Sequence, residues 1–228
     1  MAINGKYLIN LEPFVNVKEI QELDYELCRG FALSEFHLPT PGIRPIGLDY
    51  SPSEIERKWK GREEVKDMTD FQRRLFLSVY ERAAFPGRAV MIKKQDHYRN
   101  KHLDAHCEFT DNARHFPKLL KFIDDFPFKE YGRIELFVGY PNCVVPTHTD
   151  VMNEEDEHEV TCDFFWLSAR GNDKKFYVLD KDNNKHYATH LSWFDEKDPH
   201  GSDPLPYSTL SVRVDGVFEK EFRKKCLM

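Results

Sequence analysis

The sequence predicts an α+β protein, with helices first and then a mainly β core. Three observations predict it. Aromatic residues make up 14% of the chain and include 18 Phe, which suits a thick β core or a ring-lined pocket. Short runs of β-branched and aromatic residues, bounded by turn signals, crowd the region after Pro127. No helical pattern separates those runs, so they are expected to pair as an antiparallel barrel or sandwich.

The 228 residues suit one domain, with a helical part over about 1–127 and the β core over about 128–218. The early helices need a sheet to cover, so the boundary near 127 is expected to lie inside one folding unit. Within the helical part, Val17 to Cys28 places apolar residues at helical spacing. Pro39-Thr40-Pro41-Gly42, with Pro45 and Gly47, marks a loop, and 39–48 is a candidate lid. Thr69 or Asp70 can cap a helix to about Ala84, which Phe85-Pro86-Gly87 stops. A further helix is expected from about Phe116 to Asp125, with Leu119, Leu120, Phe122 and Ile123 as its apolar face. The polar, histidine-rich segment Lys93–His106 reads as a solvated connection or a substrate loop.

Strands are expected over 133–138, 143–145, 160–167, 175–179, 187–194 and 208–214. Gly139–Asn142 and Asp180–Asn184 supply turns between them.

Net charge of −6 and the lack of a long basic run argue against a nucleic-acid partner. No apolar stretch approaches the roughly 18 residues of a membrane helix. The first residues, MAINGKYLINLEPF, do not read as a signal peptide. The five cysteines are scattered without CxxC spacing and read as reduced thiols, so a cytoplasmic location is expected.

The chemistry-bearing stretch is VVPTHTD, residues 144–150. Residues i and i+2 of a strand share a side, so His148 and Asp150 can approach one ion together while Thr149 faces away. Alone, HxD is a weak signal. A third nitrogen ligand would raise it, because two histidines and one carboxylate leave coordination positions open, as in non-haem Fe(II) oxygenases. His158 sits in an acidic loop, and His186 and His190 flank a strand; solvation or hydrogen bonding suits all three better. His200 follows a strand break at Asp198-Pro199 and precedes Gly201, 52 positions after His148. Further on, Ser211 and Arg213 share one face of a strand. A buried arginine there needs an anion, and a guanidinium fork matches a carboxylate. A salt bridge to Asp215 is the competing reading.

The segments FPKLLKFIDDFPF and GRIELFVGYPNCVVPTHTD, then WFDEKDPHG, then SVRVDG, resemble the 2-oxoglutarate- and Fe(II)-dependent oxygenases. The nearest likeness is to the aspartyl/asparaginyl hydroxylase-like branch, which includes free-amino-acid hydroxylases. The likeness covers roughly 116–218. It implies a double-stranded β-helix (jelly roll, cupin-like) with the N-terminal helices packed on one side. It implies His148, Asp150 and His200 as iron ligands and catalytic centre. Arg213, with Ser211 assisting, would hold the distal carboxylate of 2-oxoglutarate. The implied co-substrate is O2, with ascorbate as a supporting reductant, and the reaction is hydroxylation of an unactivated C–H bond. Halogenating relatives carry a small residue in place of the carboxylate ligand; Asp150 favours hydroxylation.

The implied substrate is an amino acid, a peptidyl residue or an amino-acid-derived small molecule. Arg133 and Glu135 share a face of the first strand and could meet a zwitterion, or pair with each other on the exterior. Phe165 and Trp166 lie on opposite faces of the third strand, one of which should line the cavity. Three alternatives stand beside hydroxylation. They are desaturation or cyclisation at the same iron in natural-product biosynthesis, a cupin-like binding protein without catalysis, and a zinc hydrolase. An intact triad with an anion-binding arginine weighs against the last two.

Overall fold

Alternation of apolar and polar residues along the C-terminal strands sends one set of side chains to each face, and two antiparallel sheets result. The computed structural model describes residues 3–34, 89–139, 145–150, 163–171 and 174–228. Its strands are β1 (Leu8–Asn10), β2 (Ala89–Gln95), β3 (Cys107–Phe109), β4 (Phe128–Gly139), β5 (Val145–His148), β6 (Asp163–Leu167), β7 (Phe176–Leu179), β8 (Lys185–Tyr187), β9 (Leu191–Phe194), β10 (His200–Ser202) and β11 (Thr209–Phe218). The large sheet has the order β1-β9-β6-β11-β4-β2-β3, and the small one β5-β10-β7-β8. From β4 to β11 the chain passes back and forth between the two sheets. Strands β4, β6, β9 and β11 lie in the large sheet, and β5, β7, β8 and β10 in the small one. That winding is a double-stranded β-helix, the jelly roll that the family resemblance implied and one form of the antiparallel β core read from the residues.

Among the described residues four α-helices accompany the sheets: α1 (Val17–Glu22), α2 (Asp24–Leu33), α3 (Pro117–Asp125) and α4 (Lys220–Leu227). The outer face of the large sheet supplies Ile134, Leu136, Phe165, Leu167, Val212 and Val214 to one core with Ile20, Leu27, Phe31, Leu119 and Ile123. All eleven are fully buried, and each such side chain contributes about 1.5–3 kcal/mol relative to exposure. Phe126 sits among Phe165, Phe218 and Phe222, with ring centroids 5.0, 5.8 and 5.2 Å away. Close packing fixes Gly30, where a Cβ would strike the Phe116 ring. Glu26 of α2 accepts from the backbone N–H groups of Lys118 and Leu119 at 3.0 and 2.8 Å. Those donors of the first α3 turn have no partner inside the helix, so a carboxylate there also complements its dipole.

Several expectations change. The helix read over Val17–Cys28 is two helices that meet at Leu23, and the second continues to Leu33. The strand read over 187–194 is β8 and β9, which belong to different sheets. Between them, the Thr189 N–H donates to Ser192 Oγ and the His190 N–H to Glu12, so those groups leave the ladder. Strand β11 runs past Gly216, where the sequence suggested a stop, by way of a bulge between Val214 and Gly216. The N-terminal part is not purely helical, since β1, β2 and β3 extend the large sheet. The expected loop over 39–48, the expected helix over 69–84 and His158 lie outside the described residues. Among the described residues, no helix is long and apolar enough to cross a membrane.

Candidate metal centre and its cavity

Between the two sheets lies a cavity of 610 Å3, within the usual range for small-ligand sites. Phe137, Trp166, Phe176 and Phe194 form its aromatic wall. Trp166 stacks on Phe176 across the gap between the sheets, with ring centroids 4.5 Å apart.

Strands β5 and β10 are neighbours in the small sheet, and their register sets His148 directly against His200. Asp150 follows β5 and is held there by its backbone N–H, which donates to the Glu196 carbonyl at 3.1 Å. The result is a cluster in which one ligand atom from each of His148, Asp150 and His200 lies within 4.8 Å of the others. Asp150 Oδ1 is 3.5 Å from His148 Nε2 and 3.4 Å from His200 Nε2. His200 Nδ1 sits 2.9 Å from the Asp198 carbonyl. A carbonyl only accepts, so Nδ1 carries the proton and Nε2 presents its lone pair to the cluster. Burial opposes charge on Asp150, yet the Arg213 guanidinium, with Lys101 beyond it, holds its carboxyl well below the usual range. Two imidazoles and one ionised carboxylate are the donor set that suits Fe(II) with positions left open.

Behind Asp150 stands a buried network of charges on the large sheet. Arg213 donates through Nη1 to Asp150 Oδ2 at 3.0 Å, through Nη2 to Glu196, and through Nε to Asp215 Oδ1 at 2.8 Å. Its guanidinium also lies over the Phe164 ring, 4.1 Å from the centroid. Lys101 donates to Glu196 Oε2 at 2.6 Å. Arg133 donates through Nε to Asp215 Oδ2 at 2.7 Å and pairs through Nη1 with Glu135 at 3.1 Å. Burial works against the charge on Asp215, but Arg133, Arg213 and Lys101 hold it well below the usual range. For Glu135 burial prevails over Arg133 and its pKa is raised.

The network changes how several residues read. Arg213 does face the cavity as expected, and so does Ser211. However, three carboxylates of the chain itself engage the guanidinium. Arg133 and Glu135 pair inside the cavity wall, not on the exterior. Trp166 lines the cavity, whereas Phe165 points the other way, against Phe126 and Phe128; the two-residue period of the strand separates them. His186 pairs with Asp180, and His190 with Glu12.

Sequence reading missed Lys101, Glu196, Lys175 and Thr209. Lys175 precedes β7, is 8% exposed and lines the cavity with Thr209 and Ser202. Lys175 and Thr209 meet beside Gly139, where a Cβ would press on both side chains. The one available signal for Thr209 is its parity with Ser211 and Arg213, which puts all three on one face of β11. For Lys101 and Glu196 there is no local signal, because each matters through a contact made far along the chain.

No family model matches the chain, and comparison with curated proteins returns no match. Solved structures give weak likenesses. A viral collagen prolyl hydroxylase from Paramecium bursaria Chlorella virus-1 is 9% identical, with 94% of this chain and 92% of that one covered and a TM-score of 0.40. A prolyl hydroxylase from Trichoplax adhaerens, in complex with a hypoxia-inducible factor peptide fragment, is 10% identical over 92% and 94% of the two chains, at a TM-score of 0.36. An oxidoreductase of the 2OG-Fe(II) oxygenase family from Burkholderia pseudomallei is 10% identical over 56% of this chain, with a TM-score of 0.39. The match covers 66% of that protein, just under two thirds of its length. The fold therefore rests on the strand order and the centre on its own geometry: a double-stranded β-helix that gathers two histidines and an aspartate at the wall of an aromatic cavity.

Proposed function

We propose that this chain is an Fe(II)- and 2-oxoglutarate-dependent oxygenase that hydroxylates a C–H bond of an amino acid, a peptidyl residue or an amino-acid-derived small molecule. The observation that carries the reading is the meeting of His148, Asp150 and His200 on an open cavity wall. When bound, iron and keto acid would supply the oxidation, releasing succinate and CO2 while one oxygen atom of O2 enters the substrate. The protein's own residues bind and orient. His148 and His200 offer ring nitrogens, and the Asp198 carbonyl holds the His200 ring with Nε2 turned to the cluster. Arg213 draws on Asp150 Oδ2, which leaves Oδ1 toward the imidazoles. The wall of Phe137, Trp166 and Phe176 gives the reacting end an apolar, aromatic side.

Lys175, with Thr209 beside it, is assigned the distal carboxylate of 2-oxoglutarate, and Ser211 lies between them and the metal ligands on the same strand face. Arg213 becomes the residue that positions Asp150, since its hydrogen bonds already go to three carboxylates. A lysine ammonium serves a carboxylate as a point charge, with a hydroxyl as second donor.

Two measurements test this. Anaerobic addition of Fe(II) and 2-oxoglutarate should give a weak visible charge-transfer band, and in air the protein should form succinate; absence of both sinks the reading. Lys175→Met should raise the KM for 2-oxoglutarate with Fe(II) affinity retained, whereas Arg213→Met should weaken Fe(II) binding. The reverse pattern would return the keto acid to Arg213.

A further inference from the structure

We propose that the β2–β4 wall of the cavity, through Glu135 and Gln95, binds a protonated nitrogen of the substrate, so that the substrate is a small free amine such as an α-amino acid. This deepens the oxygenase reading and rests on it. Three observations carry it. First, Gln95 lines the cavity, and its Oε1 is buried without a hydrogen-bond partner among the described residues. Buried acceptors are nearly always paired in folded proteins, so an orphan on a cavity wall points to a donor brought by a ligand. Second, the Glu135 side chain is 12% exposed, lines the same cavity and pairs with Arg133, whose Nε is committed to Asp215. One guanidinium is thus divided between two carboxylates. Third, in the buried network behind this wall four carboxylates, Glu135, Asp150, Glu196 and Asp215, share three cations, Lys101, Arg133 and Arg213, while the cavity lining adds Lys94 and, at its far end, Lys175.

The nearby Lys94 does not cancel this preference, because its ammonium pairs with Glu108 at 2.9 Å. Burial raises the Glu135 pKa, and an ammonium in its place would meet the same need as the proton. Position also suits the division of the cavity. Thr209 pairs with Gly139, and Arg213 with Glu135, so at roughly 3.3 Å per residue the Lys175–Thr209 end lies about 13 Å along β4 from Glu135. The keto acid and the amine would therefore occupy separate ends of the cavity.

The test uses the whole protein with Fe(II), 2-oxoglutarate and ascorbate in air. Free α-amino acids and simple alkylamines are added singly, each beside its N-acetyl derivative, and succinate is scored against the rate without addition. We expect at least one amine to raise succinate formation tenfold or more and its acetylated form to fail. For that amine, Glu135→Gln should raise KM at least tenfold while the KM for 2-oxoglutarate moves less than twofold. Gln95→Met, on a partly exposed side chain, gives the same split if Glu135→Gln does not fold. The proposal is overturned if acetylated compounds stimulate as well as amines, if no amine stimulates, or if neither substitution moves the KM. Complete absence of succinate would instead remove the oxygenase reading. Calorimetric titration of the same amines into the protein as purified then decides the amine site alone: heat lost in Gln95→Met supports it, and no heat from any amine overturns it.

Discussion

The two sheets that enclose the cavity differ in what they contribute to it. The small sheet is built of strands of three or four residues and carries His148 and His200. The large sheet includes β4 and β11, of twelve and ten residues, and carries Arg133, Glu135, Arg213 and Asp215. The His148 side chain is 44% exposed, whereas those of Arg213 and Asp215 are 5% and 0% exposed. The proposed ligands sit on the lightly built side, and the charges packed behind them are sealed in the heavily built one. Asp150 is the link, because it follows a small-sheet strand and is gripped by an arginine of the large sheet. A site that must exchange ligands gains from an open face, provided that its geometry is set from the closed one.

The largest expected effect breaks the ligand side. His200→Ala should lower Fe(II) affinity by more than about 100-fold, beyond the 10–100-fold typical of groups that only orient ligands, as read by metal titration. Next comes the orienting side. Arg213→Met leaves Asp150, Glu196 and Asp215 facing one another without their shared cation, and should cost about 3–5 kcal/mol in urea unfolding; a loss below about 1 kcal/mol would show that the network does not bear on stability.

Acid should act on the same network. The folded-state pKa of Asp215 is depressed by Arg133 and Arg213, so its stabilisation is complete above the ordinary carboxylate range near pH 4 and is lost as pH falls through the lower folded value. Stability measured against pH should therefore fall on the acid side, and the fall should be shallower in Asp215→Asn.

A smaller effect tests the docking of the segment before β3. Arg133 N–H donates to the Lys101 carbonyl, and a Cβ at Gly132 would collide with that same backbone. Gly132→Ala should cost about 1–3 kcal/mol as an overpacking change and should weaken metal binding by moving Lys101 away from Glu196. The smallest effect lies far from both sheets' inner faces. Arg170 and Asp24 pair with side chains 49% and 37% exposed, so Arg170→Ala should change unfolding free energy by less than about 1 kcal/mol.

Local chemistry determined much of this protein in the sequence itself. Two-residue alternation marks Ser211 and Arg213 as one face of a strand wherever that strand lies. The same rule brings His148 and Asp150 to one side, and turn residues at 180–184 end a strand in any context. Proline at 199 and glycine at 201 set His200 apart from the other histidines. These features depend on backbone geometry within a few residues, which the chain carries with it.

Tertiary structure decided what required two distant segments. Phe165 and Trp166 were equivalent until the helical layer covered one face of the large sheet. Arg213 acquired Asp150, Glu196 and Asp215 from two other places in the chain and its own strand. Lys101 lies 95 residues before Glu196, and neither residue carries a local mark of that contact. Lys175 came to the cavity because β7 pairs with β10. The physical reason is the same in each case: a charge takes its role from its partners, and partners across two sheets are chosen by winding and register rather than by spacing along the sequence.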